Sequence, residues 1–172
     1  MDAKVEAVYK KLTETLEEMT KLYRQLLDVV RKEKDFLIKV DVIEIDKTRL
    51  QKEELINKCR IADMLREKYA YELGSQIGLA SHARPRLMEL AAQLPMKQGD
   101  ALRQMHSSLE MIIKRLQSLN RENETYAQSA LKTLNGALGN IKETLAGKNT
   151  YERKGQYKSG PEVSGNFVSK EA

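Results

Sequence analysis

Between Asp100 and roughly Ala146 apolar residues recur in steps of three and four: Leu102, Met105, Leu109, Ile112, Leu116 and Leu119, then Tyr126, Ala130, Leu134, Leu138, Ile141 and Leu145. That spacing is the seam of one helix face, held for about six heptads. At ~1.5 Å per residue the helix would be roughly 70 Å long. Such a helix cannot bury its stripe alone. Either the rest of the chain covers the seam completely, or the part left uncovered is open to a partner.

The rest of the chain offers mostly more helix. Val5, Val8, Leu12, Leu16, Met19, Tyr23, Leu26 and Val30 form a second seam and predict a helix from about Ala3 to Lys39. Beyond Val30 that seam loosens, because Glu33 and Lys34 fall where it would continue. Asp41-Val42-Ile43-Glu44 reads as a capping box and predicts a new helix start. No Gly or Pro enforces a break there, so one uninterrupted helix through Asp41 is the alternative. A second helix is expected from about Val42 to Leu73, with Ile45, Leu55 or Ile56, Cys59, Ala62, Leu65, Tyr69 and Leu73 inward and Gly74 as its C-terminal stop. Its period is poorer, and Ile43, Leu50 and Ile61 lie off the main face.

Gly74, Gly78, Pro85, Pro95 and Gly99 interrupt the pattern over residues 74–99. Within that connector Pro85 to Gln93 predicts a short helix, with Leu87, Leu90, Ala91 and Leu94 on its apolar face and Pro95 ending it. Asp100 is the expected N-cap of the long helix. Inside it Asn123 takes a core-facing position, with Asn120 three residues earlier, and a polar residue in a seam sets register at some cost in stability. Gly136 and Gly139 weaken the helix by about 1 kcal/mol each relative to Ala and permit close backbone approach. From Lys148 onward no period survives, and apolar residues are too sparse to offset ordering entropy. The expected architecture is all-α: an elongated antiparallel helical bundle or coiled coil of three long helices plus one short one over residues 1–147, then a disordered tail over 148–172.

Composition agrees with long exposed helices. Of 172 residues 41% are hydrophobic and 32% charged, only 5% are aromatic, and none is Trp. The net charge of +5 comes from mixed faces. Acidic residues stand four before a lysine at Glu17–Lys21, Asp35–Lys39, Glu54–Lys58 and Glu110–Lys114, the favourable helical order. A basic stripe for nucleic acid or an anionic membrane is not visible. Cys59 is the single cysteine, so no internal disulfide is possible. The start of the chain lacks a signal-like apolar core, and no apolar run approaches a membrane span, so a soluble cytoplasmic protein with no membrane insertion is expected. His82 and His106 belong to no metal motif, Gly136-Ala137-Leu138-Gly139 is no phosphate loop, and no nucleophile motif occurs. The chain reads as no enzyme, with no cofactor, metal or nucleic-acid partner.

Interaction remains. A bundle with a partly uncovered stripe suits capture of an amphipathic segment, and Leu131, Leu134, Leu138, Ile141 and Leu145 form the expected partner groove. The competing reading is a structural coiled-coil adaptor or homo-oligomer, a homodimer among them.

In this order of elements the chain resembles the FlgN-type flagellar export chaperones. Leu116, Leu119, Asn120 and Asn123 form a Leu-x-x-Leu-Asn-x-x-Asn string, and Thr150-Tyr151 with Gly155 forms Thr-Tyr-x-x-x-Gly; both are similar to that family's pattern. Lys52 followed by Leu55 fits it loosely. Val40-Asp41 departs from it, since many members have Gly-Asp there. The resemblance spans about residues 4–157. It implies a chaperone of bacterial flagellar type III export that binds the C-terminal region of hook-associated (hook–filament junction) proteins. Such a chaperone blocks premature polymerisation and delivers its subunit to an export-gate component, and the resemblance suggests that Tyr151 docks on that gate.

Overall fold

A computed structural model describes residues 2–79 and 85–145. Four helices account for nearly all of them: α1 (Ala3–Lys39), α2 (Val42–Gln76), α3 (Leu87–Gln93) and α4 (Met96–Leu145). No strand occurs among the described residues. The all-α expectation holds, as do three long helices and one short one. The chain divides into two units, residues 1–126 and 127–172. The first contains the bundle. Of the second only 127–145 are described, all of them helical. The boundary expected at residue 147, and the tail beyond it, lie outside the described residues.

α1 breaks at the predicted Asp41 cap, but the box forms only by half, since the Glu44 carboxylate pairs with Lys47 instead of reaching back. The Asp41 carboxylate accepts from the Glu44 N–H at 3.2 Å. On the α1 side the Asp41 N–H reaches Phe36 O at 3.0 Å and the Val40 N–H reaches Leu37 O at 3.2 Å. These two bonds form a Schellman ending, with Val40 in the left-handed region at φ 54°. The uninterrupted helix is thereby excluded.

Two expected helix ends shift. α2 runs past Gly74 to Gln76, and Gly78 (φ 78°) is the residue that closes it, through Leu79 N–H to Gly74 O at 2.9 Å. α4 begins at Met96 instead of Asp100: the Gly99 N–H bonds Pro95 O at 2.9 Å, and Asp100 lies inside the helix paired to Arg103 at 2.6 Å. Gly74 and Gly99 are helix-interior residues because α3 presses on both. A Cβ at Gly74 would meet Pro85 at 3.0 Å and Leu90 at 3.5 Å, and one at Gly99 would collide with the Ala91 carbonyl oxygen.

Direction follows from contacts. Glu33 meets Lys52 at 2.9 Å, and Lys11 lies over the Tyr69 ring at 5.9 Å, so α1 and α2 are antiparallel. Tyr9 donates to Gln98 O at 3.2 Å and Lys34 to Glu122 at 2.9 Å, so α4 runs parallel to α1. One core joins Leu12, Leu16 and Met19 of α1 to Cys59, Ala62 and Leu73 of α2, Leu87 and Leu90 of α3, and Leu102 and Leu109 of α4. A second cluster holds Leu26, Leu27 and Val30 against Leu116 and Leu119. α1 buries Leu22, Leu27 and Leu37 beyond its expected seam, as a helix touched from two sides must.

α2 departs most from its expected burial. Cys59, Ala62 and Leu73 are inside, and Leu55 and Tyr69 are partly so, but Leu65 is 40% exposed and Ile56 37%. Thr48 is buried instead, its hydroxyl donating to Ile45 O at 2.8 Å. Ile43, Leu50, Ile61 and Met64 lie on the opposite, exposed side.

Candidate functional site

The bundle's upper layer is polar. Where the α1 seam loosens, Glu33 accepts from Lys52 at 2.9 Å and from Asn123 Nδ2 at 2.9 Å, and Asn123 Nδ2 also reaches Val30 O at 2.9 Å. Asn123 is 4% exposed, and its Oδ1 has no partner among the described residues. α1, α2 and α4 thus meet in one hydrogen-bonded knot. Glu33 and Lys34, which looked like the end of a seam, continue it in polar form. Asn120, grouped with Asn123 from the sequence, is exposed and has no place in the knot.

Beside it Lys34 pairs with Glu122 and sits 5.5 Å from the centroid of the Tyr126 ring. The hydrogen bond from Lys34 holds the Glu122 carboxyl below its usual range, and the same bond raises the Lys34 ammonium. Burial pushes the Cys59 thiol up, so it stays protonated and unreactive at neutral pH. Of the two histidines, His82 is outside the described residues, and His106 is partly buried between α2 and α4.

In the second unit the stretch from Ala127 to Leu145 presents the other candidate surface. Leu131, Leu134, Leu138, Ile141 and Leu145 lie within about 80° of one another on the helix, at about 100° per residue. Their exposures run from 42% at Leu134 to 69% at Leu145. They form an apolar stripe roughly 21 Å long. A single helix face makes a ridge, so the groove expected from sequence is here a convex stripe. A Cβ on Gly136 or Gly139 would meet nothing within 4 Å, so no close approach uses them among the described residues. Tyr151 lies outside the described residues.

The contrast within α4 is sharp. Leu102, Leu109, Leu116 and Leu119 are all at most 7% exposed, whereas no residue from Leu131 to Leu145 is even partly buried. A continuous heptad pattern is therefore used for packing in one half and left bare in the other. A family model described as FlgN protein matches residues 1–159. The chain belongs to the FlgN family, the flagellar export chaperones. No curated protein and no solved structure matches it. No helix among the described residues is long and apolar enough to cross a membrane.

Proposed function

We propose that this chain is a cytoplasmic chaperone of flagellar type III export that holds the C-terminal amphipathic segments of hook-associated proteins. The bare stripe of Leu131, Leu134, Leu138, Ile141 and Leu145 carries the reading. A client helix laid on it covers apolar faces that would otherwise pair with other subunits, which prevents premature polymerisation. Covering one such side chain fully contributes about 1.5–3 kcal/mol. Part of that offsets the ordering of a client that folds as it binds, which leaves the moderate affinity a hand-over requires. Release at the export gate then needs no nucleotide chemistry in this chain.

Tyr151, in the segment 148–172, is proposed to dock on the export-gate component. Asn123 is proposed to hold the register of the bundle. The test is a Leu134→Asp/Ile141→Asp variant titrated with a hook-associated C-terminal fragment. Helicity should be unchanged, because both positions are exposed, and binding should be lost. Unchanged binding sinks the stripe. Tyr151→Ala should bind the fragment normally and fail in export; normal export removes the gate role. If sizing shows a stable homo-oligomer that takes no fragment, the adaptor reading replaces this one.

A further inference from the structure

The space between α2 and α4 is occupied by a helix for part of its length. α3 sits there, with Leu90 and Ala91 in the same core as Leu73 and Leu102. Gly74 on one wall and Gly99 on the other admit it. α3 has only seven residues. Past its first residue the space continues as a depression of about 500 Å³, floored by Met19 and Tyr23 of α1 and walled by Arg66 of α2 and Leu109 and Ile113 of α4. A second depression of about 310 Å³, lined by α4 alone, adjoins it and reaches Gln117. His106, Leu109 and Ile113 line both, so the two adjoin along α4, and we call them together the trough. From His106 to Gln117 the wall is about three helical turns, roughly 16 Å.

We propose that this trough takes one amphipathic helix of the client, about three turns long, apolar on its inner face and acidic at its flank. It would lie end to end with α3 and complete a four-helix cross-section with α1, α2 and α4. The proposal rests on the chaperone reading above and gives the client a second seat, in the first unit.

Three observations favour a helix of this kind. α3 already fills the same slot by helix packing, and the client's turns would continue that interface. The floor and one wall are apolar, as an amphipathic face requires. The rim charges are unequal: Arg66 is matched by Asp63 at 2.7 Å and Lys114 by Glu110 at 2.7 Å, while Arg86 has no ion pair among the described residues. An acidic flank meets that free cation, which orients and steers the incoming helix.

The test uses the full chain and a hook-associated C-terminal fragment. A photo-crosslinking p-benzoylphenylalanine is placed at Met88, 47% exposed at the α3 end of the trough, or at Gln117 at its far end. Both positions should yield adducts with the fragment. In parallel Arg86→Glu/Met88→Glu should weaken fragment binding by at least about tenfold with an unchanged melting temperature, because both side chains are exposed. Adducts within the chain assign the trough to the protein's own tail, and adducts between copies assign it to a dimer; each overturns the proposal. Fragment binding without adducts and without loss in the double variant overturns it too, while the chaperone reading stands. A wild-type chain that binds no fragment ends both.

Discussion

Asn123 Nδ2 donates to the Val30 carbonyl at 2.9 Å, so α4 is tied to the backbone of α1 by a side chain that is 4% exposed. The same amide reaches Glu33, which Lys52 of α2 also holds. A half-turn slip of α4 along α1 would break both bonds and leave the Glu33 and Asn123 groups buried with fewer partners. That is the physical content of register specification.

Asn123→Ala should therefore lower stability by about 1–3 kcal/mol, the range for orphaning buried polar partners. Urea denaturation checks the size. A double-mutant cycle with Glu33→Gln should return a coupling of about 1 kcal/mol. A coupling near zero would show that the knot does not act as a unit.

The three glycines of α4 should respond in opposite directions. Gly99→Ala drives a methyl into the Ala91 carbonyl and should cost about 1–3 kcal/mol, since α3 must shift. Gly136→Ala and Gly139→Ala meet open space and should each raise helix stability by up to about 1 kcal/mol. Thermal unfolding followed by circular dichroism separates the two classes.

Val40 holds φ 54° at the Schellman position, where a β-branched residue is strained and Gly is normal. Val40→Gly should stabilise the α1–α2 corner by about 1 kcal/mol, because little buried surface is lost at a residue 36% exposed. A lower midpoint in denaturant for the Gly variant would contradict the strain argument.

The Lys34–Glu122 pair makes a pH prediction with a definite sign. The Glu122 carboxyl is held below its ordinary value of 4.5, so its contribution is present above that value and disappears as pH falls through the folded one. Lys34 is raised above 10.5, so its contribution is complete below that value and disappears as pH rises through the folded one. The stability difference between wild type and Glu122→Gln should be flat at neutral pH and shrink on acidification below 4.5. Both side chains are partly solvated, so the difference should also fall with added salt.

Much of the fold was legible in the sequence. The seams of α1 and α4 and the Asp41 cap are local signals, and each forms as the spacing implies. The Leu131–Leu145 stripe was also legible, because exposure does not alter a period. α2 was not. Cys59, Ala62 and Leu73 lie on one side of it, and Ile43, Leu50, Ile61 and Met64 on the other. Two opposed apolar arcs cancel in any periodicity measure, and the choice between them belongs to α1, which packs against the arc of smaller residues. The trough between α2 and α4 was also illegible, since its lining comes from all four helices.

By itself the sequence determined where helices form, because capping and a three-to-four period act within a few residues. It determined that α4 carries an apolar period along most of its length, but not which part of it the bundle covers. The tertiary structure alone decided that Gly74 and Gly99 are seats for α3 instead of helix ends, that Glu33, Lys52 and Asn123 close into one knot, and that a depression of about 500 Å³ lies beyond the start of α3. Each of those depends on a group far away in the chain arriving within a few ångströms, and packing, unlike periodicity, is not written in any single segment.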